Sequence, residues 1–228
     1  MSSPRPAPPT PPVHDPVTAP ARTAAVLAAV SAALLFLVAV SWAPLLSFDR
    51  TVADGLHSWA VNEPGPTGVN RVLTDWVWDP WTMRALIAAA AVWLWCRGER
   101  LPALWVAVTS AVGTLVQQGL KSAVGRERPH WPDPVDSAHF AAFPSGHAMT
   151  AMVTCGLLLW QLRRHGVEGR LWHWSVAAGV VSVAGAGLTR IWLGVHWPSD
   201  VLGGWLMGAC LVALSAAAYE RVVLSRER

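Results

Sequence analysis

Residues 23–48 run without one charged side chain. About 20 consecutive apolar residues suffice to cross the hydrocarbon of a bilayer, so this stretch reads as a transmembrane helix. It is too long for the core of a signal peptide and follows a long tail instead of a short basic start. Further apolar runs follow at residues 81–96, 101–120, 148–162, 171–189 and 201–219. The run beginning at Trp81 contains Arg84, whose head group can snorkel to an interface. Between the first two runs, Val52, Leu56 and Trp59 recur at helical spacing, as do Val69, Leu73 and Trp76, with a break at Glu63-Pro64-Gly65-Pro66. The expectation is an all-α integral membrane protein, a six-transmembrane-helix bundle with short interfacial helices on the outer side.

Composition agrees. Hydrophobic residues make up 53% of the 228 and charged residues 14%, against about 25% charged in soluble domains. That excludes an ordinary soluble enzyme and a disordered chain. A net charge of +3 with no basic stripe argues against a nucleic-acid partner. Eight of the 18 prolines fall within the first 20 residues. Residues 1–21 are therefore expected to be a disordered cytoplasmic tail, 22–80 the first span and an amphipathic outer segment, and 81–223 a catalytic core. Cys96, Cys155 and Cys210 lack metal-ligand spacing and read as small buried hydrophobes. Many of the 15 tryptophans sit near the ends of apolar runs, where interfacial belts place them.

With six spans, one side receives Arg5, Arg22, Arg97, Arg100, Arg163, Arg164, Arg170, Arg221, Arg226 and Arg228. Its short loops are basic, so that side is expected to be cytoplasmic, together with both termini. The outer side then holds Lys121, Arg126, Arg128, His147, Arg190, His196 and Asp200. Ionisable groups at membrane depth are costly and usually have a task.

Three segments carry them. Lys121, the sole lysine, is followed by Arg126 and Arg128 directly after an apolar helix. Alone, this reads equally well as a snorkelling cluster. Pro144-Ser145-Gly146-His147 immediately precedes the apolar run that starts at Ala148. A helix N-terminus with unpaired N–H groups and a glycine suits an anion, although a lone Ser-Gly-His is more often an ordinary cap. In Thr189-Arg190-x5-His196-Trp-Pro198-Ser-Asp200, the proline suits the first turn of the last span. A carboxylate four residues after His196 can hold one imidazole nitrogen and leave the other free as nucleophile or base. Alone, this too reads as a structural cap. Taken together, two histidines, one carboxylate and three or four cations converge on one face. Arginine forks match phosphate oxygens, and no acidic cluster is present to hold magnesium or calcium. The set points to phosphoryl transfer without a metal or other cofactor, driven by positioning and charge stabilisation.

The three segments resemble the motifs of the type 2 phosphatidic acid phosphatase family, which shares its site architecture with vanadium-dependent haloperoxidases. That family reads K-x6-R-P, P-S-G-H and S-R-x5-H-x3-D. This chain reads Lys121-x6-Arg128-Pro129, Pro144-Ser145-Gly146-His147 and Thr189-Arg190-x5-His196-x3-Asp200. The one departure, Thr189 for serine, keeps a hydroxyl. The resemblance covers roughly residues 81–219. It implies His196 as the nucleophile of a phosphohistidine intermediate, Asp200 as its orienting carboxylate, and His147 as acid for the leaving group and then base for water. It implies Lys121, Arg128 and Arg190 as phosphate ligands, with Ser145 and Gly146 adding donors. It also implies a membrane lipid phosphate as substrate: a polyprenyl diphosphate, phosphatidic acid or phosphatidylglycerol phosphate.

Arg126 and Glu127 match no invariant position. Arg126 reads either as a contact to a second phosphate or as a solvated arginine. His130, Asp133, Asp136 and His139 read as polar loop residues, and Gln117 and Gln118 as hydrogen-bonding partners between helices. Two rivals use the same residues differently. A haloperoxidase would hold vanadate, but six apolar spans argue against a soluble enzyme of that kind. A non-catalytic lipid scaffold has no need of His147, His196 and Asp200 together.

Overall fold

The computed structural model describes residues 18–226. Among them the regular elements are helical: α1 (Thr18–Ala39), α2 (Ala43–Asn62), α3 (Pro64–Val72), a π-turn (Leu73–Val77), α4 (Pro80–Cys96), α5 (Arg100–Val124), α6 (Gly146–Arg164), α7 (Gly169–Trp192) and α8 (Pro198–Arg226), with a long non-helical loop over residues 125–145. The expected tail falls mostly outside the described residues, but residues 18–21 already belong to α1.

The first apolar run is not one helix. α1 stops at Ala39, Ser41 takes a left-handed φ of 52°, and α2 starts at Ala43 with a proline in its first turn. Pro44 has no N–H and its ring would strike the carbonyl four residues back, so the break is built into the sequence. α2 therefore begins earlier than the expected outer segment. Its buried positions are Asp49, Ala53, His57 and Ala60, while Val52 and Leu56 pack against Ala148, Ile191 and Val201. Trp59 stays exposed.

The other runs become α4 to α8. α6 sits at the centre, touching α4, α5, α7 and α8, and α1 packs along α8. Among the described residues, four helices are long and apolar enough to cross a membrane: residues 20–39 of α1, and α5, α7 and α8. α4 has 17 residues, about 25 Å of helix. α6 buries Thr154 and Gln161. A helix enclosed by four others faces little lipid, which explains why its composition is the less apolar.

Close approach of α8 to α6 rests on glycine. A Cβ on Gly204 would stand 2.8 Å from the Ser145 carbonyl oxygen and 3.0 Å from the Met149 nitrogen. This crossing brings the start of α6 against the start of α8. The cysteines divide: Cys210 is buried and Cys155 partly so, but Cys96 is exposed at the end of α4, against expectation.

Candidate active site

The segment between α7 and α8 delivers His196 and Asp200. Gly194 turns the chain at φ +67°, and Trp131 donates its indole N–H to the Gly194 carbonyl at 2.8 Å. Pro198 opens α8, which places Asp200 in its first turn. One Asp200 oxygen accepts the Trp197 N–H at 2.9 Å and stands 3.3 Å from His196 Nδ1. An acidic residue reaching back to the residue ahead of its helix is a capping arrangement. Here the same oxygen also steadies the imidazole.

On the other side of the ring, Arg128 Nη1 stands 3.1 Å from His196 Nε2. A guanidinium only donates, so Nε2 carries the lone pair and Nδ1 carries the proton given to Asp200. Burial, followed by the charges of Arg128, Lys121 and Arg190, holds His196 well below the usual histidine range. The ring is therefore neutral at pH 7, and its unprotonated nitrogen accepts from Arg128.

Three cations surround it. Lys121, in the last turn of α5, donates to the Ala141 carbonyl. Gly125, at φ +60°, ends that helix and turns the chain back toward α8. Arg128 is held by the carbonyls of Val195, Phe140 and His139 at 2.6, 2.9 and 3.0 Å. Burial and neighbouring Arg190 pull its pKa down to about 10. Arg190 donates to Thr74 Oγ1 at 3.3 Å and stands 3.5 Å from Asp136 Oδ2. His147, in the first turn of α6, lies among Arg190, His196 and Arg128, close to the backbone of Thr74. The π-turn thus seats Thr74 between Arg190 and His147. Such turns recur at functional sites.

Two polar atoms in this shell are buried without a partner: Ser145 Oγ and Arg190 Nε. Ser145 precedes α6 but does not cap it with its side chain, while its N–H goes to the Asp200 carbonyl at 2.9 Å. Gly146 lies against Gln117: a Cβ there would sit 3.1 Å from the amide nitrogen. Of the glutamines expected between helices, Gln117 is buried and Gln118 exposed.

All eight residues singled out by sequence thus belong to one buried neighbourhood. Four further residues join it: Arg126, Asp49, Ser199 and Asp136. Arg126 is not a solvated arginine: it is paired at 2.7 Å with Asp49 and at 2.6 Å with Asp200. Ser199 donates to Asp49 through both its N–H and its hydroxyl. Asp136 faces Arg190. Asp133, read as an ordinary loop residue, is 3.0 Å from His57 Nε2, and the His57 ring stacks on Trp131 at 4.0 Å. That contact holds the Asp133 carboxyl below its usual range. Asp49 lies in the linear sequence as one member of an Asp-Arg pair at the end of an apolar run, which gave no signal.

Beside this centre a cavity of about 500 Å³ opens between α1, α2 and the segment after α5. Its lining mixes basic residues, Arg50, Arg126, Arg128 and His130, with the apolar Val38, Leu46 and Val124 and the acidic Asp49 and Glu127.

The model of the PAP2 superfamily matches residues 102–223. The chain belongs to the PAP2 superfamily. Within curated relatives, this PAP2 protein is 31% identical over 118 residues to phosphatidylglycerophosphatase B of Bacillus subtilis, an alignment covering 50% of this chain and 56% of that protein. The chain thus spans little more than half the length of that relative. It is 33% identical over 168 residues to decaprenylphosphoryl-5-phosphoribose phosphatase of Mycobacterium tuberculosis, covering 72% of this chain and 86% of that one. The fold is similar to a crystal structure of a transmembrane PAP2-type phosphatidylglycerolphosphate phosphatase from Bacillus subtilis. The TM-score is 0.72 at 21% identity, covering 89% of this chain and 96% of that one.

Proposed function

We propose that this PAP2 protein is a membrane lipid phosphatase that works through a phosphohistidine on His196. The observation that carries the reading is the shell around His196. It has a neutral ring fixed between a carboxylate and a guanidinium, with Lys121 and Arg190 beside it and two buried polar atoms left unpartnered. A buried polar group without a partner costs about 1–3 kcal/mol. A phosphoryl group that takes the Ser145 hydroxyl and the Arg190 Nε–H removes both costs at once. A field of three cations favours an anion and repels a divalent metal ion, which supports a metal-independent reaction.

In this reading Nε2, once Arg128 has turned its N–H from the ring to the phosphate, attacks the terminal phosphorus, and the bond to the leaving oxygen breaks; that oxygen stays on the lipid alcohol of a monophosphate or on the lipid monophosphate left by a diphosphate. His147 gives its proton to that leaving oxygen. Asp200 stabilises the charge that appears on the His196 ring. His147 then takes a proton from water, water attacks the phosphohistidine, and inorganic phosphate leaves. Lys121, Arg128, Arg190, Ser145 and the Gly146 N–H hold the equatorial oxygens, which is where charge spreads in phosphoryl transfer.

The membrane arrangement proposed with it has six spans, α1 and α4 to α8, with α2 and α3 interfacial on the outer side and both termini cytoplasmic. The site then opens at headgroup level, which suits a substrate whose tail remains in lipid. Similarity to enzymes named for phosphatidylglycerophosphate and for polyprenyl-linked phosphates supports a lipid phosphate or diphosphate, and a polyprenyl diphosphate is the first choice.

The test is phosphate release by detergent-purified protein in EDTA, with undecaprenyl diphosphate and phosphatidic acid offered side by side. Release that disappears in a folded His196→Ala variant is the expected result. Release that depends on added metal, or survives the substitution, contradicts the mechanism.

A further inference from the structure

Asp200 needs a fixed orientation to steady His196, and its backbone position in the first turn of α8 sets neither side-chain torsion. One oxygen serves the Trp197 N–H and His196. The other is taken by Arg126 Nη1 at 2.6 Å, and the same nitrogen donates to Ser199 Oγ at 2.7 Å. The second arm of that guanidinium, Nη2, reaches Asp49 Oδ2 at 2.7 Å. Asp49 in turn accepts the Ser199 N–H at 2.9 Å on Oδ1 and the Ser199 hydroxyl at 2.5 Å on Oδ2. The two carboxylates are essentially inaccessible, 1% exposed for Asp49 and 0% for Asp200.

This is a planar fork spanning two acids, a geometry that arginine provides and lysine does not. The fork arrives from the turn at Gly125. The Arg126 carbonyl is anchored by the Ala142 N–H at 2.8 Å, and the guanidinium lies 5.8 Å over the Trp197 ring. Asp49 comes from α2, ahead of the residues that the PAP2 model matches. It caps α8 from another helix, because Trp197, the residue preceding α8, has no side-chain acceptor. The result is one hydrogen-bonded line from α2 to the nucleophile: Asp49, Arg126, Asp200, His196.

We propose that Asp49 and Arg126 are positioning residues, which set the orientation of the Asp200 carboxylate and through it the aim of the His196 ring at phosphorus. The proposal rests on the phosphatase reading above. No hydrogen bond joins Asp49 or Arg126 to His196 or His147, and both arms of the Arg126 guanidinium are taken by carboxylates, so their effect is expected in the chemical step rather than in substrate affinity.

The experiment measures kcat and KM for lipid phosphate hydrolysis by full-length protein, alongside size-exclusion profiles and thermal midpoints in detergent. Three variants are compared: Arg126→Met, Arg126→Lys and Asp49→Asn. Asparagine keeps an oxygen for Ser199, so that variant preserves the cap while removing the charge opposite Arg126. Misplacing a reacting group by about 1 Å costs about 100-fold in rate. Folded Arg126→Met is expected to lose kcat on that scale with KM within about twofold of wild type. Arg126→Lys and Asp49→Asn are expected to lose less, again in kcat. Should Arg126→Met fail to fold, the two milder variants decide. Folded variants with wild-type kcat reduce the line to a latch between α2 and α8 and overturn the proposal. A rise in KM with kcat intact makes Arg126 a substrate contact and overturns it as well. Wild-type protein that releases no phosphate fails the phosphatase reading itself, and the proposal falls with it.

Discussion

Arg128 is fastened by three loop carbonyls while one of its nitrogens touches His196 Nε2. Lysine in its place supplies a point charge that cannot satisfy that fork. Arg128→Lys is expected to lower kcat/KM by about 10²–10³, the scale for removing one oriented donor from a reacting oxygen. His147, His196, Asp200, Lys121, Arg128 and Arg190 were legible because each sits at fixed spacing inside a short motif. Asp49 was not, because its partners Arg126 and Ser199 lie far along the chain and nothing in local spacing records such a pairing. Arg126 stayed between two readings for the same reason.

The sequence marked α4 to α7 to within four residues at each end, since uninterrupted apolar runs leave few alternatives, but stopped α8 seven residues short of Arg226, where charged residues extend the helix past the apolar run. It missed the break between α1 and α2 because hydropathy outweighed Pro44, although the proline was in plain view. It also gave α6 the same standing as the other runs, when its enclosure by four helices is a tertiary fact that explains Thr154 and Gln161. The contact of α6 with α8 makes its own prediction. Gly204 faces backbone atoms of Ser145 and Met149, which cannot swing aside as a side chain would. Gly204→Ala should therefore destabilise the protein by about 1–3 kcal/mol and lower activity, because Ser145 moves with the backbone. Around Gly119 in α5, nothing lies within 4 Å of where a Cβ would stand, and alanine there should leave the thermal midpoint unchanged or raise it slightly. Equal midpoints for the two variants would show that the crossing is looser than the distances imply.

At the scale of the whole molecule, the two ends of the bundle differ in charge chemistry. At one end, arginines lie over tryptophan rings: Arg97 over Trp93, Arg100 over Trp95, Arg163 over Trp172 and Arg164 over Trp160. His165 meets Glu99 there at 3.0 Å, joining the start of α5 to the end of α6. Flat basic and aromatic groups of this kind suit a headgroup layer. At the other end Trp42, Trp59, Trp76 and Trp81 are exposed and Arg84 lies over Trp81, but Arg126 and Arg190 are turned inward toward Asp49, Asp200 and Asp136. Cations neutralised inside the protein weigh little in deciding which end is retained in the cytoplasm, so the arginine-tryptophan end should be the cytoplasmic one. Cys96 reports this directly, being exposed at that end of α4. In intact cells a membrane-impermeant maleimide should leave Cys96 unlabelled until the membrane is permeabilised. In a Cys96→Ser, Ser137→Cys variant, the new thiol lies in the exposed loop beside the site and should label without permeabilisation. Labelling of Cys96 in intact cells, with Ser137→Cys protected, would invert the protein. The catalytic centre would then meet lipid phosphates of the cytoplasmic leaflet, and a carrier diphosphate released on the outer face would cease to be a reachable substrate.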